Sequence, residues 1–109
     1  ANVTVRNSFF HGKEPTQDNR VRGRGIDAPG FKNLVIENNF FENNGAVISV
    51  DNYYGDGSPN QTIKIRYNVV RNIDGRYRNN TGKYLVQFVA LQNFGAGNPR
   101  YAEIAWNEV

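Results

Sequence analysis

NLVIENNFFENNG, residues 33–45, combines two demands that an ordinary strand cannot meet together. Leu34 and Ile36 alternate with other residues as a half-buried strand requires, and then the pairs Asn38–Asn39 and Asn43–Asn44 bracket Phe40 and Phe41. Asparagine is depleted from sheets and favours turns and left-handed backbone. The stretch therefore reads as short strands separated by asparagine corners.

The same pattern recurs along the chain. VTVRNSFF (3–10), LVIENNFF (34–41), IKIRYNVV (63–70) and AEIAWNEV (102–109) align without gaps, at spacings of 31, 29 and 39 residues. A repeat of this length is one structural unit that must stack on its neighbours to bury a core. The first column holds Val3, Leu34, Ile63 and Ala102, and the third holds Val5, Ile36, Ile65 and Ile104, which is the two-residue period of a strand with one buried face. The column between them, Thr4, Val35, Lys64 and Glu103, has the mixture of an outward face. The sixth column, Ser8, Asn39, Asn68 and Asn107, is expected at a bend in left-handed geometry, its amides hydrogen-bonded along the stack. The eighth, Phe10, Phe41, Val70 and Val109, is expected to return to the interior and stack like on like. A slip of one residue would lose both stacks, so the register is well specified.

Each repeat carries a second apolar segment: GID around Ile26, AVISVDN at 46–52 and YLVQFVALQN at 84–93. These alternate as strands and are followed by the turn-rich stretches APGFKN, YYGDGSPNQ and FGAGNPRY. The pattern aliphatic-x-aliphatic-x-x-Asn-x-aromatic/aliphatic resembles the right-handed parallel β-helix proteins of the pectate-lyase-like superfamily, across the whole chain, with departures at Ser8 and in AEIAWNEV. The resemblance implies an all-β fold, a right-handed parallel β-helix (solenoid) of about three to four coils, occupying residues 1–109 as one domain. No helical cap is legible at either end, and bare strand edges invite association. With Ala1 in place of an initiator Met, the chain is expected to be part of a longer solenoid, or to have its ends covered by another chain or a further copy.

Composition narrows the function classes. Of 109 residues 39% are hydrophobic and 13% aromatic, enough for a thin core, while the runs that build helices are missing. The net charge of +3 fits an acidic partner such as a uronate polysaccharide. Basic residues such as Arg6, Arg66 and Arg71 are interleaved with acids instead of forming a stripe, which argues against a nucleic-acid partner. There is no Cys, hence neither a disulfide nor a thiolate metal site, and no apolar run approaches the roughly 18 residues of a membrane span. GRGIDA (23–28) matches a dinucleotide fingerprint by accident, since Pro29 and Gly30 forbid the helix that must follow. His11 stands alone among histidines and shares a surface column with Glu42 and Arg71. The triplets at Asn2, Asn60 and Asn79 are glycosylation sequons only in a eukaryotic secretory setting.

Two loops are the expected sites, because a solenoid presents chemistry on loops above a rigid scaffold. In DNYYGDGSPN (51–60), Tyr53, Tyr54 and Asp56 offer aromatic faces to sugar C–H groups and a carboxylate to sugar hydroxyls; Tyr77 does so in NIDGRYRNNTGKY (72–84). Resemblance to the uronate lyases of the superfamily implies an Arg or Lys base, supplied here by Arg76, Arg78 or Lys83. It also implies neutralisation of the substrate carboxylate by Ca²⁺ or a basic residue, with Asp51 or Asp56 as oxygen ligands. A hydrolase would need converging carboxylates, for which Asp27 and Asp51 are the pair to test. The expected function is recognition or processing of a polysaccharide, with acidic (uronate) glycans among the candidates, outside the cell or at its surface. The alternative is a non-catalytic solenoid that assembles through its ends.

Overall fold

In a computed structural model of the protein, the described residues are 2–12, 24–28, 31–51, 61–73, 87–92 and 101–109, with Arg24, Asp51 and Gln87 described by their backbone alone. They form ten strands: β1 Asn2–Arg6, β2 Phe9–His11, β3 Arg24–Ala28, β4 Asn33–Glu37, β5 Phe40–Glu42, β6 Ala46–Asp51, β7 Thr62–Arg66, β8 Val69–Arg71, β9 Gln87–Gln92 and β10 Tyr101–Ala105. Three sheets result, ordered β1-β4-β7-β10, β2-β5-β8 and β3-β6-β9, and every pairing is parallel. Each sheet takes one strand from each of the first three repeats, and the first sheet takes β10 from the fourth, an arrangement compatible with a parallel β-helix.

The aligned columns are the observed register. Val3 pairs with Leu34, Leu34 with Ile63 and Ile63 with Ala102, and Val5, Ile36, Ile65 and Ile104 pair likewise. Branched aliphatic residues suit a pleated surface, and alternation sends them to one side. In β4 and β7 that side is the core: Leu34, Ile36, Ile63 and Ile65 are buried, together with Phe41, Ile48, Val50 and Val70. Phe10 stacks on Phe41 with centroids 4.9 Å apart and planes 13° from parallel.

Strand β10 departs from this. Ile104 is 45% exposed and Val109 67%, because β10 pairs with β7 alone and nothing described covers its other side. Val109 therefore does not join the buried eighth column. The central strand β6 departs in the opposite sense, since Ala46, Val47, Ile48, Ser49 and Val50 are all buried instead of alternating. A strand enclosed on both faces of a parallel sheet is selected for a continuous small or apolar run.

The corners between the first two sheets divide two jobs between adjacent residues. Left-handed backbone lies in the fifth column, at Asn7 (φ 54°), Asn38 (φ 56°), Tyr67 (φ 55°) and Trp106 (φ 54°), and not in the sixth as the sequence reading expects. The sixth column is the ladder. Oδ1 of Asn39 accepts the Ser8 amide at 3.0 Å, Oδ1 of Asn68 accepts the Asn39 amide at 3.0 Å, and Oδ1 of Asn107 accepts the Asn68 amide at 3.0 Å. Each Nδ2 donates in turn to a main-chain carbonyl in the third column of the preceding repeat: Asn39 to Val5, Asn68 to Ile36 and Asn107 to Ile65. The side chains thus satisfy main-chain groups that a sharp bend takes out of the sheet. A second corner follows the short strands, where Asn43 and Asn72 have φ of 59° and 57°. Gly12 lies against the Asn43 carbonyl so closely that any Cβ would overlap it, which restricts this position to glycine.

Candidate functional site

Most of the residues singled out from the sequence lie outside the described residues: Tyr53, Tyr54, Asp56, Arg76, Tyr77, Arg78 and Lys83. Asp51 ends β6 and pairs with Gln92, whereas Asp27 pairs with Ser49. The two aspartates proposed as a hydrolytic pair therefore stand in different columns. Among the described residues no group of three or more His, Cys, Asp or Glu side chains gathers to hold a metal ion. Among them, too, no helix is long and apolar enough to cross a membrane.

The described surface instead presents a feature that column reading passed over. Tyr67 and Trp106 occupy the same corner position in adjacent repeats and stack with centroids 5.3 Å apart and planes 8° from parallel. Tyr67 is 52% exposed and Trp106 66%. Bulky residues resist positive φ, since Cβ crowds the following carbonyl at a cost of about 1–2 kcal/mol each. The fold itself asks only for a residue such as Asn here, as Asn7 and Asn38 demonstrate in the preceding repeats, where Nδ2 of Asn38 donates to Oδ1 of Asn7 at 2.6 Å. Backbone held in an unfavourable region together with an exposed apolar surface is a combination that clusters at binding sites.

Polar groups border the pair. Nε of Arg66 donates to Glu37 at 2.9 Å and its Nη1 reaches Glu103 at 3.5 Å, while the guanidinium lies 5.9 Å from the Tyr67 ring centroid. That geometry combines ion pairing with a cation–π contact. The hydrogen bond to Glu37, followed by the field of Glu37 and Glu103, pushes the Arg66 pKa further above its ordinary value, against the opposing effect of desolvation. The phenol of Tyr101 donates to Glu103 at 2.7 Å, and this bond raises the Tyr101 pKa above 10.0. On the short-strand sheet, Phe9 stacks on Phe40 at 5.3 Å with its own ring 59% exposed, so this aromatic column faces outward and not into the core.

The signal for Tyr67 and Trp106 was in the alignment. The fifth column runs Asn7, Asn38, Tyr67, Trp106, and reading it beside the sixth would have placed two aromatic rings at one corner. No family model matches the chain, and neither a curated protein nor a solved structure matches it.

Proposed function

We propose that the chain is a right-handed parallel β-helix of about three to four coils that recognises a polysaccharide outside the cell or at its surface. Right-handedness follows from the general rule that crossovers between parallel strands of one sheet take that hand in nearly all folds. The observation that carries the functional reading is the exposed Tyr67–Trp106 stack, held on left-handed backbone beside Arg66, Glu37 and Glu103. Ring faces accept the C–H patch of a sugar, and the charged rim offers both donors and acceptors to its hydroxyls. A rigid corner built on paired strands loses little freedom when a ligand docks.

Trp106 is the chain's sole tryptophan, so its intrinsic fluorescence reports directly on this corner. Titration with a panel of oligosaccharides should give a saturable change that is abolished in Tyr67→Ala. A flat response to every glycan would end the reading. Mass spectrometry of the same mixtures separates recognition from processing: unsaturated products indicate a lyase, hydrated products a hydrolase, and unchanged glycan a binding module.

A second reading, a module that assembles through its ends, is favoured by the apolar exposure of Ile104 and Val109 on and beside the edge strand β10. It predicts a mass that rises with concentration in light scattering, while a concentration-independent monomer would count against it.

A further inference from the structure

We propose that the glycan taken by the Tyr67–Trp106 corner is neutral, a chain of uncharged hexose or pentose units and not a uronate; the inference rests on the polysaccharide reading above.

The reason lies in how charge is distributed around the rings. Along the outward column that leads into the corner, register places Arg6 against Glu37 and Glu37 against Arg66, so sign alternates from repeat to repeat. Arg66, the cation beside the Tyr67 ring, is held by two carboxylates from opposite sides, Glu37 at 2.9 Å and Glu103 at 3.5 Å. Glu103 is engaged a second time by the Tyr101 phenol. Across the corner the next column repeats the scheme: Glu42 stands between His11 and Arg71 in register, with His11 Nε2 3.9 Å from the Glu42 carboxylate, and Arg71 Nη2 pairs with Glu108 at 2.5 Å.

At Arg66, the cation beside the rings, an approaching uronate would therefore meet a group already committed to two carboxylates, while Lys64 on the same strand stands in register with Glu103. A uronate that bonds the remaining guanidinium N–H groups of Arg66 sits beside the carboxylates of Glu37 and Glu103, which already neutralise that cation, so repulsion offsets most of the attraction. A neutral sugar meets no such repulsion. Its hydroxyls can donate to the Glu37 carboxylate, and accept from the remaining guanidinium N–H groups, without breaking either ion pair. The flat apolar faces of Tyr67 and Trp106 supply the remaining contact, which salt does not screen.

The test is a Trp106 fluorescence titration with two sets of size-matched oligosaccharides, neutral (glucan, mannan, xylan and galactan fragments) and uronate (galacturonate and alginate fragments). Each is run at low salt and at about 1 M salt, where the Debye length falls to about 3 Å. The inference expects saturable binding of at least one neutral series, with a Kd that changes less than about twofold between the two salts. Binding confined to uronates, weakening about tenfold or more with salt, would overturn it while leaving the polysaccharide reading in place. No response from either set would overturn that reading itself, and the inference with it. The double variant Glu37→Gln/Glu103→Gln sharpens the result: releasing Arg66 should shift selectivity toward uronates by about tenfold relative to neutral chains. An unshifted selectivity in a folded double variant contradicts the role given to the two carboxylates.

Discussion

Asn7 and Asn38 sit at the same corner as Tyr67 and Trp106, with φ between 54° and 56° in all four, yet the two pairs are chemically opposite. The asparagines belong to the residue type that enters the left-handed region at low cost, and they bond to one another across the repeat. The aromatic pair gains a ring stack in exchange for a backbone geometry it resists. One step along the chain the comparison reverses. Asn39, Asn68 and Asn107 are held in place by hydrogen bonds to main-chain groups at the bend. Residue type in the sixth column is thus set by the ladder wherever a preceding repeat must be bridged, with Ser8 standing at its first rung, while in the fifth the fold tolerates variation and leaves room for function.

The largest expected effect comes from breaking the column that the fold dictates. Asn68→Ala removes a buried amide that accepts from Asn39 and donates to Ile36 and Asn107, leaving several buried groups without partners. A loss of about 3 kcal/mol or more in urea denaturation is expected. Next comes a transplant between the two pairs. Asn38→Tyr forfeits the bond to Asn7 and places a bulky residue at φ 56°, so it should cost about 1–2 kcal/mol in the same measurement.

These contrasts also explain what the sequence could and could not disclose. Parallel order and register were legible because Leu34, Ile36, Ile63 and Ile65 leave one way to align their repeats, and burial follows pairing directly. The ladder was legible as a column of asparagines but its backbone was assigned one residue too late. Side-chain type signals a bend without saying which of two adjacent residues takes positive φ. The polar series in which Asn33 Nδ2 donates to Asn2 and Thr62 donates to Asn33 is not legible in the aligned repeats, which begin one residue later at Val3, Leu34 and Ile63. The continuous burial of β6 was not legible either: enclosure of a second face depends on long-range stacking that alternation along one strand does not encode.

Smaller effects probe the rim. The hydrogen bond to Glu103 holds the Tyr101 phenol above its ordinary pKa in the folded chain. A folded-state pKa raised in this way gives a contribution that is complete below the ordinary phenol value and is lost as pH rises through the folded value. Stability should therefore decline with pH in the alkaline range, and Tyr101→Phe should reduce that decline. Ultraviolet titration of the phenolates against urea midpoints checks it, and an unchanged alkaline slope in the variant would contradict the assignment.

The central claim is that the aromatic pair serves binding and not folding. It is tested most directly by the double variant Tyr67→Asn/Trp106→Asn, carried through urea denaturation and calorimetric titration with the glycan that the parent chain binds. Relief of left-handed strain offsets the lost ring stack, so stability is expected to stay within about 1 kcal/mol of the parent. Affinity is expected to fall about tenfold or more once both sugar-facing rings are gone. A loss of several kcal/mol with affinity otherwise accounted for by unfolding, or an intact affinity in a stable variant, would contradict the account.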